Sequence, residues 1–204
     1  MIKENSGKIY RFKLDHNLGF GFAEIYDFTY ISEFDGRIIY TFNRIDTEEK
    51  SDYDLKKITE SGISLGPIRS VHSPGTRGKY ATKYIGQRTD LIINEIPLTK
   101  EFHGLLIHEK NWNNLKKWYR SDKFKELHSN FVSYNELRNL ETRILSSIVG
   151  IATKLTMKKI IDENKKVSDF YDLSEMGNFN TFIQLINTYY PIEKTENLLT
   201  EIKN

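Results

Sequence analysis

The chain has 204 residues and a mass of 24.0 kDa, with 38% hydrophobic, 28% charged and 13% aromatic residues. That is enough apolar surface for a core that needs no disulfide or metal, and the absence of cysteine removes thiolate chemistry altogether. Thirty basic residues against 28 acidic ones leave a net charge of +2, which excludes a nonspecific polyanion binder, and no apolar run approaches the roughly 18 residues of a membrane span.

In chain order, the first half reads as strands. Lys8 to Leu14 alternates polar and apolar residues, so one face can be buried while the other stays wet. Asp15-His16-Asn17 supplies turn chemistry, and Leu18 to Tyr26 continues as a second strand. Within it, Gly19 and Gly21 predict a bulge, a sharp curve or a close backbone approach. Asp35-Gly36 turns the chain into a third strand, Arg37 to Phe42. A short helix is expected between Ser51 and Glu60, with Tyr53, Leu55 and Ile58 inward, Ser51 as its cap and Gly62 as its stop. Ile63 to Arg69, Lys79 to Ile85 and Asp90 to Pro97 complete the strands. Their close spacing predicts an antiparallel, curved sheet or a small SH3-like barrel.

After about residue 110 the hydrophobic period changes to that of helices. Ser133-Tyr134-Asn135-Glu136 has capping-box spacing, and Leu137, Leu140, Ile144, Ile148, Ile151 and Leu155 follow at steps of three and four. Gly150 is a candidate interruption of that helix. Phe179, Phe182, Ile183 and Ile186 mark a further helix stopped by Pro191, and Leu198, Leu199 and Ile202 a last short one. The expected architecture is therefore α+β, with a β-rich domain over 1–110 followed by an all-helical domain over 111–204.

The usual catalytic patterns fail on spacing. His103 and His108 are five apart, so regular structure does not converge them on a metal, and no acidic cluster accompanies them. No Gly-x-Ser-x-Gly elbow is present. The Gly75-Thr76-Arg77-Gly78-Lys79 loop lacks the upstream glycine of a phosphate loop and has Tyr80 where a metal-binding hydroxyl belongs. Neither an enzyme nor a cofactor is expected.

Two charge patches remain. Asp46, Glu48, Glu49, Asp52 and Asp54 fall within nine residues and are offset only by Lys50, a local charge of −4. Such carboxylates suit a helix start, and they equally suit a landing surface for a cationic partner, with Tyr53 as an aromatic anchor. The opposite patch interleaves Trp112, Lys116, Lys117, Trp118, Tyr119, Arg120, Lys123, Phe124 and Lys125. It suits either an aromatic helix face packed on the sheet or a nucleic-acid surface, in which Trp112, Lys116, Lys117 and Arg120 stack bases and neutralise phosphates.

The opening segment carries a resemblance. Gly7-Lys8-Ile9-Tyr10-Arg11-Phe12-Lys13-Leu14 followed by Leu18-Gly19-Phe20-Gly21-Phe22-Ala23-Glu24-Ile25 resembles the start of the Imm26 family of immunity proteins from bacterial polymorphic-toxin systems. Leu65-Gly66-Pro67-Ile68 and Lys83-Tyr84-Ile85-Gly86 are similar to later landmarks of that family, with Tyr84 standing where a tryptophan is expected. The resemblance covers about residues 6 to 98 and leaves the helical half unmatched. It implies a cytoplasmic protein without chemistry of its own that binds and blocks a cognate toxin. Many such toxins are nucleases with cationic surfaces, which gives the acidic segment Asp46 to Asp54 a role as part of the contact. The alternative reading is a nucleic-acid-binding SH3-like module with a helical accessory domain.

Overall fold

In the computed structural model, residues 6–29, 36–70, 74, 75, 78, 80–90, 141 and 147–202 are described, together with the backbone of 99–102, 118–121 and 131–132. They form two compact units, one made of Met1–Pro97 with Ile144–Thr156, the other of Leu98–Arg143 with Met157–Asn204. The class is α+β, as expected.

The first unit is built on an open, curved antiparallel sheet of five strands: β1 (Lys8–Lys13), β2 (Phe20–Asp27), β3 (Arg37–Phe42), β4 (Ile63–Ser70) and β5 (Lys83–Gln87). Their order, β4-β3-β2-β1-β5, continues the predicted meander and adds β5 beside β1. Between β3 and β4 the register slips at Thr41, whose buried hydroxyl accepts the Leu65 amide at 3.1 Å and satisfies a donor displaced from the ladder.

Both faces of this sheet are covered. On one face Ile9, Phe22 and Phe42 form a buried cluster with Tyr53 and Ile58, and Leu55 and Ile85 pack at its margin. The covering helix is α1 (Leu55–Glu60). Its cap is Asp54, not Ser51: the Asp54 carboxylate accepts the Lys57 amide at 3.2 Å, because it stands three residues before the unsatisfied donor. On the other face Gly21 opposes Phe12 across the β1–β2 ladder. A side chain at Gly21 would come within 2.7 Å of Leu155, so this glycine is where the helix α2 (Ile148–Asp162) meets the strands. Gly150 lies inside α2 and does not interrupt it.

The N-terminal end of α2 is tied to the first β-turn by polar contacts. Asp15 is buried, and its carboxylate accepts the Tyr80 hydroxyl at 2.6 Å and the Thr153 hydroxyl at 2.8 Å. The Asp15 amide donates to Thr156 Oγ1 at 3.0 Å, and that hydroxyl donates onward to the Ala152 carbonyl at 2.7 Å.

The second unit contains α3 (Met176–Tyr189), which matches the predicted apolar spacing, and α4 (Ile192–Leu198), which was not predicted; the short helix expected from Leu198, Leu199 and Ile202 is a single 3-10 turn, Leu199–Ile202, directly after α4. Phe182, Ile183, Leu185 and Ile186 are buried along α3, and Pro191 stands at the cap of α4. The Thr195 hydroxyl donates to the Ile186 carbonyl at 2.9 Å, fixing the turn between the two helices. Tyr190 donates to Asp162 at 2.7 Å, and burial pushes its phenol well above the ordinary value.

Periodicity did not predict one feature of this unit, an antiparallel three-stranded sheet of β6 (Thr99–Phe102), β7 (Trp118–Ser121) and β8 (Phe131–Val132). The Trp118-Tyr119-Arg120 run is thus strand, not helix, in line with the preference of aromatic residues for pleated surfaces. The expected strand over residues 91–97 and the helical stripe over 137–146 lie outside the described residues, apart from Glu141.

Candidate functional site

The acidic segment is held rigidly at both ends. Phe20 and Asp46 exchange two backbone hydrogen bonds, at 2.8 and 3.1 Å, which extend β2 by one bridge. This is possible because residue 19 is glycine. Its φ of +108° is a conformation side chains rarely adopt, and a Cβ there would overlap the Asp46 carbonyl oxygen, with Thr47 Cα 3.2 Å away. At the far end Tyr53 enters the core edge-on to Phe22, with ring centroids 5.4 Å apart. Its hydroxyl accepts the Lys50 amide at 3.0 Å.

Between these anchors the six candidate residues separate into two groups. Asp46 is buried and points inward, bound by Arg44 Nε at 2.9 Å and Lys50 Nζ at 3.0 Å. Burial alone would raise its carboxyl, but the hydrogen bonds from Arg44 and Lys50 outweigh that and hold it below its ordinary 3.8. Tyr53 is buried as well and serves the core. Glu48, Glu49, Asp52 and Asp54 are exposed. Glu49 pairs with Arg11 Nη1 at 2.5 Å, while the Arg11 guanidinium stacks on Phe20 at 4.5 Å. Asp54 caps α1, and the bond from the Lys57 backbone lowers its carboxyl. Asp46 therefore takes up Arg44 and Lys50, Glu49 is paired with Arg11 and Asp54 with Lys57 Nζ at 3.6 Å, which leaves Glu48 and Asp52 as the outward carboxylates that carry the negative field.

The depressed Asp46 carboxyl fixes the sign of a pH effect. Its stabilisation is present above the unfolded value of 3.8 and is lost as pH falls through the lower folded value. Asp46→Asn is expected to cost about 1.5 kcal/mol at neutral pH, the worth of hydrogen bonds to a charged group, and the deficit should close in strong acid. Urea unfolding of both proteins at several pH values checks it; a deficit that persists in acid would reject the assignment.

A second group of polar side chains lies on β2 and β3. Glu24, Tyr26 and Tyr40 are all buried. Burial raises the Glu24 carboxyl and, together with the Glu24 charge, pushes Tyr40 up to about 12. No motif marks Glu24 in the sequence. The available signal was that it is the lone charge between Phe20 and Tyr26.

Of the proposed nucleic-acid residues, Trp112, Lys116 and Lys117 lie outside the described residues, and Arg120 stands on β7 opposite Lys100. His72, His103, His108 and His128 also lie outside them, while His16 is exposed in the first turn. Among the described residues no group of three or more His, Asp or Glu side chains is placed to hold a metal ion. No described helix is long and apolar enough to cross a membrane. No protein-family profile, curated protein or solved structure matches the chain.

Proposed function

We propose that this protein is a non-enzymatic inhibitor that binds the cationic face of a cognate bacterial toxin, as an immunity protein does. The observation that carries this reading is the anchored acidic segment. The Phe20–Asp46 bridge and buried Tyr53 fix its ends, Asp46 gathers Arg44 and Lys50, and Glu48 and Asp52 remain exposed. A rigid display of like charge loses little conformational entropy on binding and accelerates encounter with an opposite surface. The resemblance of residues 6 to 98 to Imm26 immunity proteins supports the same reading and supplies the cytoplasmic setting. Against a positively charged nuclease, the segment takes the place of the nucleic-acid backbone.

The test begins with the full chain as bait in the native host, followed by affinity measurement on the captured toxin. Reversal of Glu48 and Asp52 to lysine is expected to weaken binding about 100-fold at low salt and to flatten its salt dependence. Unchanged affinity with an unchanged salt slope would remove the segment from the interface. Salt-sensitive binding to RNA or DNA instead of a protein would favour the nucleic-acid alternative.

A further inference from the structure

Arg11 is an enclosed cation with too few acceptors. Its side chain is 10% exposed on β1, and its guanidinium lies over the Phe20 ring, 4.5 Å from the centroid. Neither Nε nor Nη1 has a hydrogen-bond partner. The carboxylate that meets it is Glu49, whose Oε1 stands 2.5 Å from Nη1 as an ion pair without hydrogen-bond geometry. That Glu49 side chain is itself 56% exposed. An enclosed guanidinium with unused donors is costly, because those N–H groups give up water and gain no acceptor.

The strand register brings two more cations to the same face. Lys83 of β5 is the direct cross-strand partner of Arg11, and Lys13 follows Arg11 two residues along β1. Both lysines are exposed, and neither forms an ion pair among the described residues. Like charges directly opposite on neighbouring strands repel, so the Arg11–Lys83 pairing works against the sheet. Three cations share the single carboxylate of Glu49, and a net positive charge remains. The arrangement is poor for the fold and well suited to an anion. Pairing of β1 with β2 and β5, together with the Phe20 ring, fixes the guanidinium plane and keeps its edge free for a two-oxygen acceptor.

We propose that Arg11, Lys13 and Lys83 form a binding site for a phosphate-class dianion, with Glu49 as its resident intramolecular competitor. A dianion fits better than a carboxylate, because Glu49 on Arg11 still leaves both lysines without counter-charge. The ligand displaces Glu49 from Nη1, accepts from the guanidinium and neutralises the lysines. Glu49, once released, joins Glu48 and Asp52 as an outward carboxylate. The site stands independently of the immunity reading: it borders the acidic segment but carries the opposite sign and takes a small ligand.

The full chain is titrated with inorganic phosphate at constant ionic strength and about pH 8, where phosphate is mainly dianionic, and followed by the Arg11 Nε–H resonance. Glu49→Ala is expected to tighten binding about tenfold, since removing a competitor raises the fraction of open sites. Glu48→Ala deletes the same charge from the same segment without touching Arg11, and is expected to change affinity by less than about twofold. Joint replacement of the exposed Lys13 and Lys83 by alanine is expected to weaken binding about tenfold. Acetate is expected to bind far more weakly than phosphate. Phenyl phosphate, titrated in parallel, supports the site at equal affinity as one for the bare phosphate group, and at higher affinity as one for a phosphorylated molecule. Equal effects of Glu49→Ala and Glu48→Ala would reduce the site to general electrostatics and overturn the proposal. So would parental affinity in the double lysine variant, or an Arg11 resonance that does not move.

Discussion

Replacing Gly19 by alanine is expected to destabilise the fold by about 3 kcal/mol, from the strain of a positive φ together with overpacking against a rigid backbone. At a φ of +108° the new methyl group overlaps the Asp46 carbonyl, and backbone atoms at 3.2 Å leave it no direction of relief. Relief by separation would break the two hydrogen bonds of the Phe20–Asp46 bridge and release one end of the acidic segment. The appropriate control is Gly75→Ala, where a Cβ meets nothing within 4 Å and the change should stay within about 0.5 kcal/mol. Urea midpoints for the two variants decide the matter. Equal effects would mean that Gly19 is not what admits Asp46 to the edge of β2.

The second large effect is expected at Asp15. Asp15→Ala leaves the Tyr80 and Thr153 hydroxyls without this acceptor in a partly buried setting, a loss of about 3 kcal/mol. Asp15→Asn keeps an oxygen for one hydroxyl and presents a donor to the other, so about half that loss is expected. Tyr80→Phe removes the hydroxyl that Asp15 accepts and should cost about 1 kcal/mol. Thermal unfolding of the three variants should preserve that order. A Tyr80→Phe cost equal to that of Asp15→Ala would place the whole contribution in the tyrosine and none in Thr153.

These residues differ in how visible they are in the sequence. The glycines in Leu18-Gly19-Phe20-Gly21 predict a bulge, a sharp curve or a close approach, since a strand that gives up two side chains on one stripe leaves room there. What approaches is a tertiary matter: Asp46 at Gly19 and Leu155 at Gly21. Asp15-His16-Asn17 is likewise legible as a turn, yet its link to Thr153 spans 138 residues. The acidic segment was legible as charge alone. That Asp46 faces inward with Arg44 and Lys50 while Glu48 and Asp52 face outward depends on the bridge to Phe20, which no local pattern encodes. Glu24 was the least legible. Alternation places it on one face with Phe20, Phe22 and Tyr26, but its enclosure follows from both faces of β2 being covered, which no local pattern encodes.

By itself the sequence determined the strand order of the first three strands, the helix over residues 176–189 and the lack of thiolate chemistry. Each follows from short-range rules: side-chain period, turn residues and residue inventory. Only the tertiary structure decided which carboxylates are structural and which are displayed, because burial and pairing depend on contacts between distant segments. It also decided that the Trp118 run joins a sheet, since pairing with Thr99–Phe102 and Phe131–Val132 supplies backbone hydrogen bonds that a lone four-residue stretch cannot.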